Sequence, residues 1–181
     1  EIQARPLSPE DALKTFRLDP GLRIELVAAE PLITDPVDIA FDERGRLYVV
    51  ECNGYNRDEK LKPRSRIRLL EDVDGDGRMD RGTLFADDLD YAQGIMVMQG
   101  GVVVTTNSGI LFLRDDNGDG RADHTKVLFD CSTSIFTDRQ MSAPRLGRDN
   151  SPCGGLCASG CVLAAWLARY LVRPYFRSGQ D

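Results

Sequence analysis

The chain has 181 residues, 41% hydrophobic and 29% charged, a balance that can bury a core and that argues against a disordered polymer. Its formal net charge of −6 removes nucleic acid from the expected partners, because phosphate binding needs a basic face. The acid excess lies wholly in residues 1–130; residues 131–181 are net basic, their basic side chains are all Arg, and they hold four of the five Cys.

Residues 1–21 read as a leader. Neither an initiator Met nor an apolar secretion signal opens the sequence, which predicts a processed chain or a fragment. Within the leader, Ser8-Pro9-Glu10-Asp11 is a helix start, with Ser as cap and Pro at the first helical position. Pro20-Gly21 is a turn signal, and Leu22 to Val27 alternates apolar and polar as a half-buried strand does. Short strands follow at Val37–Phe41 and Arg46–Val50, joined by a turn that ends in Gly45, then at Arg66–Leu70 and, after an acidic loop, at Thr83–Phe85. The series then repeats. Gly94–Met98 turns at Gln99-Gly-Gly101 into Val102–Thr106; Ile110–Arg114 leads into a second acidic loop; Lys126–Phe129 closes the set.

Ile39 aligns with Ile95 and Asp72 with Asp115, the difference in spacing being taken up by one polar insertion between Cys52 and Pro63. Four short strands recurring every 40–50 residues or so are the mark of β-propeller blades. The expected fold over residues 22–130 is therefore all-β, a partial β-propeller of two blades. Residues 131–181 are expected to be a divergent or truncated tail. Within it, Met141–Asn150 reads as a degraded echo of the next blade's start, and residues 161–172 as a short apolar helix. That helix is too short to span a bilayer, which takes about 20 residues, so no transmembrane helix is expected.

The acidic loops carry the chemistry. Calcium is a hard cation that takes about 6–8 oxygen ligands. The first loop places side-chain oxygens at relative positions 1, 3, 5 and 9 (Asp72, Asp74, Asp76 and Asp80), with Gly77 at the sharp turn and the carbonyl of Arg78 as a further ligand. The second offers Asp115, Asn117, Asp119 and Asp123, with Gly120 and the carbonyl of Arg121. Neither has the bidentate Glu that an EF-hand holds at position 12; Thr83 and Lys126 stand there. The flanks are strands, so these are EF-hand-type loops in another fold, with weak affinity of about 10⁻⁴–10⁻³ M. Plain turn chemistry is the competing reading: it accounts for Gly and one Asp, but not for the same oxygen spacing twice.

Other residues carry two readings each. Glu51 is either a channel-facing contact for a ligand or a solvated strand-end charge. His124, the only His, is either a base or metal ligand or a surface residue. Cys153, Cys157 and Cys161 fall on one helical face, one residue too widely spaced for a common iron–sulfur motif; disulfides with Cys52 or Cys131 would leave one Cys over.

From Ser8 to about Asp130 the chain resembles the amino-terminal region of the membrane-bound dehydrogenase-like proteins of planctomycetes and relatives. The residues that carry the resemblance are Ser8–Leu13, Ile24–Pro31, Asp35–Asp42, Gly45–Glu51 and the two acidic loops. That family is similar in turn to the soluble pyrroloquinoline-quinone (PQQ) glucose dehydrogenases. The resemblance implies a six-bladed, extracytoplasmic (periplasmic or cell-surface) propeller that oxidises a sugar or alcohol, often joined to a c-type haem module. The sequence lacks a Cys-x-x-Cys-His haem motif and no catalytic residue carries over. The expectation is a calcium-binding piece of such a dehydrogenase, with PQQ or haem c only in a longer parent and the remaining blades as partners. The alternative is a non-catalytic, calcium-dependent module that binds a carbohydrate or a protein.

Overall fold

The computed structural model describes residues 6–53, 64–130, 143–146 and 152–153. The helix expected in the leader is α1 (Pro9–Leu13), and Ser8 caps it by accepting the Asp11 N–H at 3.1 Å. Eight strands then form two antiparallel four-stranded sheets. Blade 1 holds β1 (Pro36–Phe41), β2 (Leu47–Asn53), β3 (Arg64–Glu71) and β4 (Arg81–Asp90), side by side in that order. Blade 2 repeats the arrangement with β5 (Gly94–Met98), β6 (Gly101–Thr105), β7 (Gly109–Arg114) and β8 (His124–Asp130). Two short strands, β9 (Arg145–Leu146) and β10 (Pro152–Cys153), pair with each other. The fold is all-β, a two-blade part of a propeller.

Local chemistry explains the turns. Between β1 and β2, Asp42 Oδ1 accepts the N–H groups of Arg44 and Arg46, both at 2.9 Å, and Gly45 takes φ +79°, which favours glycine. Strand β4 runs past Phe85 to Asp90, further than the alternation predicts. The β3–β4 register shifts twice, and Asp88 takes a positive φ, so the apolar–polar period breaks while the ladder continues. The expected strand at Leu22–Val27 has no ladder partner among the described residues.

The repeat is legible in the register. Ile39 faces Val49 across β1–β2 as Ile95 faces Val104 across β5–β6; Leu47 faces Leu70 as Val102 faces Leu113. Each blade therefore has a front face, with these residues, and a back face. The back of blade 1 (Tyr48, Val50, Ile67, Leu69, Phe85) packs on the front of blade 2 (Ile95, Val102, Val104, Leu113). The Tyr48 and Phe85 rings meet edge-on at 5.0 Å. Each large side chain buried there contributes about 1.5–3 kcal/mol, so this seam is the main cohesive element of the pair. On the other side, segment 27–33 covers Leu47, Val49 and Leu70 at the front of blade 1.

The inner strands lie next to each other across the seam. The Ile95 N–H donates to Asp38 Oδ2 at 2.9 Å, and the Arg145 guanidinium reaches both the Ile95 carbonyl and Asp38 Oδ1 at 3.5 Å. Residues 143–146, inside the segment read as an echo of a blade start, thus lie against β5. Gly94 allows the approach, since a Cβ there would stand 2.4 Å from Ala143 Cα. Among the described residues no helix is long and apolar enough to cross a membrane. The apolar segment 161–172 lies outside the described residues, as do Cys131, Cys157 and Cys161.

Candidate metal centre

Both acidic loops are hairpin connections at the same end of their blades, one between β3 and β4 and the other between β7 and β8. Their internal bonding is nearly superposable. In the first, Asp72 Oδ1 accepts the Gly75 N–H at 2.6 Å and Oδ2 the Gly77 N–H at 2.9 Å. In the second, Asp115 accepts from Gly118 at 2.6 Å and from Gly120 at 2.8 Å. Asp76 and Asp119 each accept from the residue two further on, Arg78 and Arg121. The loop closes where Asp80 Oδ2 accepts the Val73 N–H, and Asp123 Oδ2 the Asp116 N–H. Gly77 and Gly120 take φ of +91° and +83°, the conformation that lets the chain curl around the first Asp.

The electrostatics follow from those donors. The Gly77 N–H is the strongest influence on the half-buried Asp72 carboxyl and holds it below the ordinary carboxylate range; burial pushes upward and is outweighed once the Gly75 and Asp76 N–H groups add to Gly77. At Asp115 burial pushes upward and is outweighed by the Gly120, Gly118, Asp119 and Asn117 N–H groups, so this carboxyl is lowered as well. Both lead residues are preset as anions.

The first loop fits a hard cation. Carboxylate oxygens of Asp72, Asp74 and Asp80 lie within 4.8 Å of one another. Two oxygens bound to one calcium at 2.3–2.6 Å are at most about 5 Å apart, so these three fit one ion with little movement. Asp76 stands outside that trio, its Oδ1 turned to the Arg78 N–H. The Arg78 side chain points away, 3.8 Å from Glu10 of α1, so only its carbonyl remains as a ligand. In the second loop Asn117 replaces Asp74, and its amide donates to Asp123 Oδ1 at 3.0 Å. That bond occupies an oxygen a metal would need. We therefore expect Asn117→Asp to strengthen calcium binding at the second loop by roughly tenfold, since affinity in such loops follows the carboxylate count. Calorimetric titration of the variant checks this, and an unchanged second-site affinity refutes it.

Asp115 and Asn117 also border a cavity of about 380 Å³ with Asp42, Arg46 and Tyr48 on blade 1. His124 is exposed at the first position of β8, opposite Arg114 and outside the cluster of Asp72, Asp74 and Asp80. Cys52 is a buried free thiol.

Glu51 corrects both of its sequence readings. It lies in β2, the second strand of the blade, and is fully buried. Its Oε1 accepts the Thr34 N–H at 2.7 Å, its Oε2 accepts from Arg66 Nε, and Arg66 Nη2 donates to Thr34 Oγ1 at 2.9 Å. Arg68 Nε stands 3.6 Å away. Neither a channel contact nor a solvated charge, Glu51 ties segment 27–35 to the sheet. The alternation Arg66-x-Arg68, on the strand face that continues to Leu70, was the available signal, because two charges on a covered face need a counter-charge.

The fold and the loops define a pair of propeller blades with an EF-hand-type acidic loop on each. The chain belongs to the family described as a domain of unknown function, DUF7133, which it matches over residues 8–160, from the cap of α1 through both blades and β10. No curated protein matches the chain, and no solved structure does.

Proposed function

We propose that the chain is a structural, calcium-stapled pair of blades from an exported dehydrogenase-like propeller, related to the soluble PQQ glucose dehydrogenases, and without turnover of its own. The observation that carries the calcium part is the convergence of Asp72, Asp74 and Asp80 in a loop whose twin recurs one blade later. Placed between the outer strands, an ion would cross-link each strand pair where its ladder ends. The dehydrogenase part rests on the resemblance in the leader, in the first blade and in the loops. Within this reading the chain's role is architectural: the residues that carry the resemblance are strands, turns and acidic loops, and no catalytic residue carries over.

A second reading, a calcium-dependent carbohydrate-binding module, is favoured by the cavity beside Asp115 and Asn117: an ion there would have open positions facing hydroxyl groups. Calorimetry with calcium, followed by dye-linked sugar oxidation with added calcium and PQQ, separates the readings. We expect heat of binding at millimolar calcium and no dye reduction. Absence of heat would end the calcium claim, clear turnover would end the architectural one, and calcium-dependent retention on immobilised sugars would favour the second reading.

A further inference from the structure

Segment 23–35 takes, one blade earlier, the path of β4 and the link that follows it. Two matched pairs of hydrogen bonds set the correspondence. At position 8 of the second acidic loop, the Ala122 N–H donates to the Phe85 carbonyl of β4 at 2.9 Å; at position 8 of the first, the Met79 N–H donates to the Val27 carbonyl at 2.8 Å. Asn107, five residues after Val102, donates to the Asp90 carbonyl at 2.9 Å; Cys52, five residues after the equivalent Leu47, donates to the Asp35 carbonyl at 3.1 Å. Packing agrees. Phe85 and Ala86 rest with Val102, Val104 and Leu113, while Val27 and Ala28 rest with Leu47, Val49 and Leu70.

One difference separates the two settings. Strand β4 is laddered to β3, whereas residues 24–29 have no ladder partner among the described residues. The front of β1 is bare in step with that. Ile39 is 51% exposed and Phe41 54%, while Ile95, at the position equivalent to Ile39, is 0% exposed under the back of blade 1. We propose, building on the propeller reading above, that residues 24–29 are the outermost strand of the blade that precedes blade 1. Their open edge and the bare β1 face receive three further strands of the same blade repeat. The occupant is an antiparallel meander with an apolar back face like that of blade 1. The seam between blades 1 and 2 is the template for the contact.

A fusion tests this. A copy of residues 94–123, which are three strands and an acidic loop, replaces residues 1–22 and joins directly to Arg23, the counterpart of His124. A second fusion uses a copy of residues 36–80. Hydrogen exchange is followed at amides 24–29, and alkylation at an Ile39→Cys thiol, in chelator and in calcium. We expect both to slow by roughly tenfold or more in at least one monomeric fusion, with or without calcium. Unchanged rates in both fusions overturn the proposal. So does a parent chain that sediments as a dimer with the Ile39→Cys thiol already shielded, since a second copy would then be the occupant. Loss of a calcium response would sink the metal assignment and leave this one standing.

Discussion

In about 10 mM calcium the chain is expected to melt roughly 3–10 °C higher than in chelator, and Asp72→Ala to abolish most of that difference. The size follows from linkage. A site with a dissociation constant of about 10⁻⁴–10⁻³ M is then at about 10–100 times that constant, which stabilises the folded state by about 1.4–2.7 kcal/mol. For a domain of this length each kcal/mol moves the melting temperature by roughly 2–4 °C. Asp72 is the residue to remove because its two oxygens organise the loop through Gly75 and Gly77 and also belong to the converging trio. Asp116 is the control. It lies beside the second loop's lead residue, but its carboxylate is engaged by Arg114, so Asp116→Ala should leave the calcium response intact. A calcium-induced rise that survives Asp72→Ala undiminished would refute the assignment at the first loop.

Glu51→Ala should lower the melting temperature by roughly 6–20 °C. Removing one partner of a buried ion pair costs about 3–5 kcal/mol, because the other charge stays behind without a counter-ion. Here Arg66 would lose its acceptor on a covered face, and the Thr34 N–H would lose its own. The exposed pair Arg81–Glu71 provides the contrast: its Arg is 62% exposed, and such pairs contribute about 0–1 kcal/mol. Arg81→Ala should therefore shift the midpoint by only a few degrees. Equal shifts for the two substitutions would show that Glu51 is not the tie proposed for segment 27–35. Hydrogen exchange offers an independent check, since Glu51→Ala should release amides 27–35 before those of β6 and β7.

Most of the blade architecture was legible in the chain because the signals are local. Short apolar runs at β5 to β7, alternation along Arg66–Leu70, Gly at the turns and the Asp-x-Asp/Asn-x-Asp-Gly spacing each depend on neighbours within a few residues. The convergence of Asp72, Asp74 and Asp80 was legible for the same reason, since one short loop supplies all three carboxylates. Asp76 was expected as a fourth side-chain ligand beside these three; its Oδ1 accepts the Arg78 N–H, and its carboxylate is not among those that converge. The far half of β4 was not legible, since two register shifts scramble its period.

The sequence by itself determined the two blades, the strand order within each and the position of both acidic loops, because period and turn chemistry are properties of contiguous residues. The tertiary structure decided what each face meets. Ile39 and Ile95 are the same residue at the same place in the repeat, yet one is half-exposed and the other sealed, and only the presence of a blade in front distinguishes them. It likewise decided that Glu51 is an internal tie, and that residues 24–29 lie where β4 lies one blade later, without a ladder partner among the described residues. Burial, ion pairing and strand pairing all depend on groups brought together from distant parts of the chain, and residue spacing along one segment carries no record of them.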